Sequence, residues 1–283
     1  MNSEDIYAHV SERYGTAAKG SDAKYSNTVA RAFGYSEEEL ASIPKDANLG
    51  LSCGTPLATA TLREGEVVID LGSGAGLDVF LSAKKVGPSG KAIGVDMNKA
   101  SRIYTPYRTS TNTVCGQDML AKAMALKTDH AMNNVEFVES RITNIALEDS
   151  IADCIISNCV INLVPHNEKQ QVFNEIFRLL KPGGRVAISD ILAKKPFSDN
   201  IRNSIALYVG CVAGASQVDE YEQYMLNAGF EDPSIADTRS DLNVYLYDSA
   251  GGCCSATKTM ALDLEGEDLN EWFGSFTIYG VKK

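Results

Sequence analysis

Short apolar runs, separated by polar turns and longer amphipathic segments, dominate the middle of this 283-residue chain. Each run is short and rich in valine and isoleucine, which is typical of a buried strand. The runs are EVVID, KAIGVD, VEFVES, ADCIISN and GRVAISD, and QVFNEIFRLL between the last two repeats its apolar positions at helical spacing. Strands that alternate with helices predict βαβ units, and hence an α/β fold built on a doubly wound, Rossmann-like parallel sheet.

The pattern divides the chain into three parts. Residues 1–62 are polar with helical periodicity and predict an N-terminal helical cap. Residues 63–195 hold the predicted sheet, and residues 196–283 predict a small mixed α+β portion that supplies closing strands. A polar, threonine-rich stretch without periodicity, residues 99–117, interrupts the sheet region and predicts a surface-loop insertion, in which Cys115 is incidental.

The strongest motif is VVIDLGSGAGLDVFLSA, in which a buried strand ends at Asp70 and a glycine-rich turn leads into an apolar helix. Glycine lets the backbone approach a ligand where a Cβ would intrude. A second strand ends about twenty residues later at Asp96, where a carboxylate can accept hydrogen bonds from ribose hydroxyls. The motif predicts a nucleoside ligand, dinucleotide or adenosyl; the alternative is a turn that serves only packing. Its candidate residues are Gly72, Ser73, Gly74 and Gly76.

Composition narrows the choice of partners and location. Lys and Arg number 26 against 37 Asp and Glu, a formal net charge of −11. Such a field repels a nucleic-acid backbone, so we expect no nucleic-acid partner. The start, MNSEDIYAHV, lacks a basic stretch followed by an apolar core, and no apolar run approaches about 18 residues, so we expect a cytoplasmic protein without a membrane span. In a reducing compartment the seven irregularly spaced cysteines indicate chemistry or metal binding rather than disulfides.

Several motifs together resemble a known family. DLGSGAGLD, GVDM, SNCVINLVP and LLKPGGRVAISD follow the order and spacing of class I S-adenosylmethionine methyltransferases. The cysteine contexts SNCVINLVP, LSCGTP and YVGCVAGA resemble the arsenic-binding motifs of arsenite methyltransferases, and the closing DLNEWFGSFTIYGVKK resembles that of fungal members. The resemblance implies an enzyme that moves the methyl group of S-adenosylmethionine to trivalent arsenic, as arsenite or methylarsenite, for detoxification. The segment AAKGSDAKYSN lacks a further cysteine that many family members carry.

The three motifs supply Cys53, Cys159 and Cys211 as candidate arsenic ligands and catalytic residues. A soft trivalent ion prefers thiolates, and three of them can surround its lone pair. We expect Cys159 at the carboxyl end of the fourth strand, where open α/β sheets bind ligands, with the other two brought over the same crevice. Each cysteine taken singly fits a core position equally well. The adjacent Cys253 and Cys254 are accessory candidates for metalloid capture or reduction.

The resemblance also implies the remaining cofactor contacts. They are Tyr14 and Gly15 over the methionine end, Asp78 at the methionyl group, Met97 beside Asp96, Ile142 at the adenine amine and Asn158 on the pocket floor. A core aromatic explains Tyr14 equally well, and a solvated acid in the first turn of a helix explains Asp78 nearly as well. Because the methylated product is formally pentavalent, the resemblance implies reduction by the same cysteines. An external thiol, glutathione or a thioredoxin-type partner, would restore them, and the substrate could arrive as a glutathione conjugate.

Two other functions fit the residues. A small-molecule methyltransferase of the quinone or sterol type would use the same cofactor motifs and keep its cysteines for structure. A thiol-based metalloid-binding protein would bind arsenic without transferring a methyl group. Comparing methyl transfer to arsenite with transfer to a lipophilic acceptor distinguishes an arsenite methyltransferase from the first alternative. Tight metalloid binding without turnover would support the second alternative.

Overall fold

The computed structural model describes residues 2–18, 23–97, 119–196, 214–246 and 268–283. Its strands are β1 (Val67–Leu71), β2 (Lys91–Asp96), β3 (Val135–Glu139), β4 (Ala152–Asn158), β5 (Leu180–Ala193), β6 (Ser234–Asp237) and β7 (Phe273–Val281). Its α-helices are α1 (Ser3–Ala17), α2 (Ala23–Ala32), α3 (Glu37–Ala41), α4 (Pro56–Ala60), α5 (Leu77–Val86), α6 (Met119–Asp129), α7 (Lys169–Leu179), α8 (Val218–Ala228) and α9 (Leu269–Trp272). Short 3-10 helices cover Lys45–Ala47, Ile161–Leu163, His166–Glu168 and Leu242–Leu246.

The described strands form one mixed sheet in the order β3-β2-β1-β4-β5-β7-β6. Strands β1 to β5 pair in parallel, whereas β7 pairs antiparallel with both β5 and β6. The chain order reverses at β1, which lies between β2 and β4. A crevice opens outside the carboxyl ends of parallel strands at such a reversal, which is where these sheets bind ligands. The predicted α/β fold is confirmed, and each predicted strand and the predicted helix α7 form.

Helix α7 shows why the pattern of apolar residues dictates the layers. Its buried apolar side chains, Val172, Phe173, Ile176 and Leu179, recur at helical spacing and face the sheet. Phe173 stacks on Tyr224 and meets the edge of Tyr221, both on α8, at ring-centre distances of 5.6 and 5.3 Å. The strands supply the opposite surface with buried residues of the same kind. One continuous core therefore holds α7 and α8 against the sheet.

A second apolar cluster lies at the carboxyl ends of the strands and joins the two ends of the chain. It contains Val29 of α2, Phe273 of β7 and the two cysteines Cys53 and Cys159. The N-terminal helices and the C-terminal strand therefore enclose the region in which the sequence predicts the site. The three-part division of the chain stays a prediction. The predicted insertion, residues 99–117, lies wholly outside the described residues, which stop at 97 and resume at 119. No described helix combines the length and the apolar character that a membrane span needs.

Phe173→Ala should lower the free energy of unfolding by about 3 to 5 kcal/mol, because it removes a fully buried ring and leaves a cavity between α7 and α8. Urea denaturation monitored by circular dichroism measures the change. Met124→Ala on α6, where the side chain is 38% exposed, is the matched control and should change stability by less than about 0.5 kcal/mol. Equal effects of the two substitutions would contradict the layer packing described here.

Candidate active site

The glycine-rich turn after β1 closes against the end of β2. The backbone N–H groups of Gly72 and Ser73 both donate to the carbonyl oxygen of Val95, at 2.8 and 3.0 Å. Gly72 has φ +68°, and a Cβ there would lie 2.3 Å from a methyl group of Val160. A Cβ on Gly74, at φ +53°, would instead meet nothing within 4 Å. The turn therefore needs glycine on one side to pack and leaves its other side open to a ligand.

A cleft of about 1030 Å³, measured with its open mouth, lies over this turn at the carboxyl ends of β1, β2 and β4. The structure brings every predicted cofactor residue to its walls except Gly15, within α1, and Gly76, which precedes α5 at φ +97°. The predicted residues that line it are Tyr14, Asp70, Gly72, Ser73, Gly74, Asp78, Asp96, Met97, Ile142 and Asn158. Cys159 lines the same cleft. The cleft is thus the place where the cofactor and arsenic motifs meet.

Three acidic side chains, those of Asp70, Asp78 and Asp96, line one side of this cleft, and we call this side the negative wall. Burial, together with the charges of Asp78 and Asp96, holds the pKa of Asp70 well above its ordinary value. Burial raises the pKa of Asp78 to about 6, although hydrogen bonds from Tyr35 and Asn158 oppose the shift. Asp96 accepts a hydrogen bond from the N–H of Gly74 at 2.9 Å. Carboxylates crowded in this way are relieved by a cation, so the wall favours a positively charged ligand.

The cleft also contains a polar atom that needs a partner. The hydroxyl oxygen of Ser73 is buried and has no hydrogen-bond partner among the described residues. Buried polar groups are normally paired, so an unpaired one in a cleft wall indicates a contact for a ligand. The open space beside Gly74, the negative wall and this hydroxyl together fit a ligand that carries both a nucleoside and a positive charge.

Helix α1 forms the outer wall of the cleft through Tyr7, Val10 and Tyr14. The hydroxyl of Tyr7 donates to Glu168 at 2.7 Å, and the guanidinium of Arg141 lies 4.2 Å from the centre of the Tyr7 ring. Arg141 also donates two hydrogen bonds to Glu4, each 2.7 Å long. The polar contacts therefore hold the helix across the opening. Sequence reasoning missed Tyr7 and Arg141, which belong to no recognisable motif.

The structure joins Cys53 and Cys159 in a disulfide, with Cα atoms 5.7 Å apart. Cys159 follows β4 directly and takes the left-handed backbone conformation, at φ +58°, while its N–H donates to the carbonyl oxygen of Ser189 at 2.9 Å. Cys53 reaches the same place from the loop before α4 and is fully buried. The sequence predicts that these two cysteines meet, but as free thiolates and not as a disulfide. The structure differs, because it holds the pair in its oxidised form. Cys115, Cys211, Cys253 and Cys254 lie outside the described residues.

The side chain of Asn158 links the cysteine pair to the cleft over the glycine-rich turn. Its carboxamide nitrogen lies 3.2 Å from a carboxylate oxygen of Asp78, 2.9 Å from the hydroxyl of Tyr35 and 3.0 Å from the carbonyl oxygen of Gly54. Its oxygen accepts a hydrogen bond from the N–H of Cys53 at 3.2 Å. Tyr35 in turn donates to Asp78 at 2.7 Å. The sequence places Asn158 at the pocket floor but does not indicate Tyr35, a buried residue just outside a short helix.

Asp190 near the end of β5 lies beside the cysteine pair, and the sequence analysis did not indicate it. One of its carboxylate oxygens and the sulfur atoms of Cys53 and Cys159 all lie within 4.8 Å of one another. The carboxylate accepts hydrogen bonds from Tyr221 at 2.5 Å and from Asn162 at 2.9 Å. Burial raises the pKa of Asp190 to about 6, although the hydrogen bond from Tyr221 and the charge of Lys169 oppose this shift. The one signal for Asp190 in the sequence is its place at the end of the apolar run GRVAISD.

The chain is similar to several known proteins. A family model described as a methyltransferase domain matches residues 62–101 and 115–229, and it skips the centre of the predicted insertion. An arsenite methyltransferase of Halobacterium salinarum is 44% identical over 203 residues, which are 72% of this chain and 47% of that protein. An arsenite methyltransferase of Mus musculus is 30% identical over 271 residues, 92% of this chain and 68% of that protein. This chain spans about half the length of the Halobacterium relative.

The fold is also similar to a solved structure. The crystal structure of an arsenic(III) S-adenosylmethionine methyltransferase from Chlamydomonas reinhardtii matches with a TM-score of 0.57 and 25% sequence identity. The match covers 90% of this chain and 73% of that one. The comparisons of sequence and of structure agree with the resemblance carried by the motifs.

Asp190→Asn should change how stability depends on pH. The raised pKa means that the folded protein binds this proton more tightly than the unfolded chain does, so wild type loses stability as pH rises from about 4 to 6. The variant has no proton to lose there. Its free energy of unfolding relative to wild type should therefore rise by about 2 to 3 kcal/mol between pH 4 and pH 7. Urea denaturation of both proteins across this range measures the difference, and a flat or falling difference would contradict a buried carboxylate here.

Proposed function

This chain belongs to the arsenite methyltransferase family, and we propose that it transfers the methyl group of S-adenosylmethionine to trivalent arsenic held by cysteine thiolates. One observation carries the proposal: Cys159 belongs both to the cofactor cleft and to the buried pair with Cys53. A thiophilic substrate and a nucleoside ligand would therefore meet at one strand end. Core cysteines kept only for packing would not need to open onto that cleft.

The cleft residues fit S-adenosylmethionine. When bound, this cofactor supplies an electrophilic methyl carbon on a positively charged sulfonium. Asp96 would accept hydrogen bonds from the ribose, and Ile142 would lie at the adenine. Asp70 and Asp78 would face the positively charged methionine end, and Tyr14 on α1 would cover it. The negative wall supports this orientation because it stabilises positive charge.

The chain's own part in methyl transfer is to hold arsenic and to exclude water. Cys53, Cys159 and Cys211 would surround the arsenic as thiolates, which are the ligands that a soft ion prefers. The arsenic lone pair carries no proton, so no residue has to act as a general base. Orientation in a buried site is then the main contribution of the protein. The burial of Cys53 and the near-complete burial of Cys159 support such a site.

Reduction of the pentavalent product would use the same cysteines. Two thiolates give up two electrons and form one disulfide, and the Cys53–Cys159 pair is spaced for that bond. An external thiol, from glutathione or a thioredoxin-type protein, would restore the pair by thiol–disulfide exchange. The substrate could also arrive as a glutathione conjugate and transfer by the same exchange. A cytoplasmic setting, in which thiols are kept reduced, would suit this cycle.

Mass spectrometry of arsenic species tests the function directly. The protein is incubated with arsenite, S-adenosylmethionine and glutathione, and a reaction without the cofactor is the control. Methylated arsenic that appears only with the cofactor is expected. Arsenite that stays bound and unmethylated would support a binding protein, and methylation of a lipophilic acceptor in place of arsenite would support a small-molecule methyltransferase. Either result would overturn the proposal.

Cys159→Ser and Cys211→Ser should each abolish methylation, because a hydroxyl is a poor ligand for a soft ion and two thiolates do not fix the direction of the lone pair. Cys53→Ser should block the methylation of arsenite yet spare methylarsenite, in which carbon already fills one position. The double variant of Cys253 and Cys254 should keep single-turnover transfer on preloaded enzyme. Rapid-quench measurement with labelled cofactor checks all four, and an essential Cys253–Cys254 pair with a dispensable Cys159 would contradict this site.

Asp96→Ala should weaken the binding of S-adenosylmethionine by about 10- to 100-fold, because charge-assisted hydrogen bonds contribute roughly 1.5 to 3 kcal/mol. Arsenite binding should stay within about twofold, since the Asp96 carboxylate accepts the N–H of Gly74 in the glycine-rich turn, on the cofactor side of the cleft. Isothermal titration measures both. Asp129→Ala, which removes an exposed acid from the end of α6, is the matched control. Unchanged cofactor affinity in Asp96→Ala would remove this residue from the site.

A further inference from the structure

The peptide groups around Cys53 are held from two sides by side chains of the sheet. On one side, the oxygen of Asn158 at the end of β4 accepts the Cys53 N–H at 3.2 Å, and its nitrogen donates to the carbonyl oxygen of Gly54 at 3.0 Å. On the other side, the hydroxyl of Ser275 on β7 donates to the carbonyl oxygen of Cys53 at 2.7 Å. Two strands far apart in sequence therefore fix one short stretch of loop.

The packing beneath this loop leaves it little freedom. A Cβ on Gly54 would lie 2.5 Å from the Cβ of Ser189 on β5, so the loop backbone lies directly on that strand. Ser275 is fully buried, and its position on β7 is fixed by pairing with Ile191 of β5. The hydroxyl of Ser275 thus reaches Cys53 from a rigid support. We call Asn158 and Ser275 the Cys53 clamp.

We propose that the Cys53 clamp positions Cys53 for the first methylation, and that Ser275 is a positioning residue for this step. The inference rests on the proposed function and deepens it. Arsenite needs three thiolates. If the Cys53 side chain were mobile, the arsenic would keep only two ligands and its lone pair would not be oriented. Methylarsenite brings one carbon of its own and needs two thiolates. The clamp therefore acts on the choice between the two substrates, not on methyl transfer as such.

Ser275 separates this role from cofactor binding more cleanly than Asn158 does. Asn158 lines the cofactor cleft and contacts Asp78, so its substitution would disturb two sites at once. Ser275 is not among the residues that line the cleft. Its loss should leave S-adenosylmethionine affinity unchanged.

Ser275→Ala removes one hydroxyl and is the test variant. Ser82→Ala on α5 is the matched control, because Ser82 is also fully buried and its hydroxyl has no hydrogen-bond partner among the described residues. Rates are measured for arsenite and for methylarsenite at saturating cofactor. We expect the Ser275→Ala rate with arsenite to fall about 10- to 100-fold, the range in which small misplacements of reacting groups act. The rate with methylarsenite should stay within about twofold, and Ser82→Ala should match wild type with both substrates.

Equal losses with both substrates would show that Ser275 only supports the structure, and no loss with either would show that the clamp is not needed. Both results overturn the proposal. A second measurement needs no arsenic and so stands apart from the proposed function. Fully reduced protein is treated with an azo oxidant, which takes up two electrons and two protons as the Cys53–Cys159 disulfide forms. Peptide mass spectrometry should find this disulfide forming severalfold more slowly in Ser275→Ala than in Ser82→Ala, and equal rates would contradict positioning by Ser275.

Discussion

The carboxamide of Asn158 is the contact on which the site depends. It lies at the end of β4, and it binds the Cys53 loop with one set of hydrogen bonds and Asp78, in the wall of the cleft, with another. A neutral group with donors and an acceptor suits this place, because a carboxylate would repel Asp78 and an aliphatic side chain would leave buried polar groups unpaired. The next residue in the chain is Cys159. One strand end therefore supplies both the link and a candidate arsenic ligand.

The burial of acidic side chains is the second constraint on this region. Asp70 near the end of β1, Asp78 in the first turn of α5 and Asp190 near the end of β5 are all buried. Burial raises the pKa of each, so the folded protein gives up some stability to keep them there. Groups held at such a cost cluster at functional sites. In the proposed reaction they would face a positively charged cofactor on one side and the cysteine pair on the other.

Much of this arrangement could be predicted from the sequence, because it depends on local patterns. The strand periodicity fixed β1 to β5, and the glycine turn identified the cleft by its backbone requirements at Gly72 and Gly74. Contacts between distant segments could not be predicted in this way. Tyr35 and Ser275 reach the site only because the N-terminal segment and β7 fold back onto the sheet, and Asp190, at the end of a predicted strand, gains its role only from the cysteines that lie beside it. Nothing in the short sequence around Tyr35 or Ser275 distinguishes either residue from an ordinary core residue.

X-ray absorption at the arsenic edge, on reduced protein loaded with one equivalent of arsenite, tests the central claim most directly. The account predicts a first shell of three sulfur atoms in wild type. It also predicts that one sulfur is replaced by a lighter atom in Cys53→Ser and in Cys159→Ser. A shell made of oxygen atoms in wild type, or a sulfur shell unchanged by both substitutions, would contradict the assignment of these two cysteines to the arsenic site.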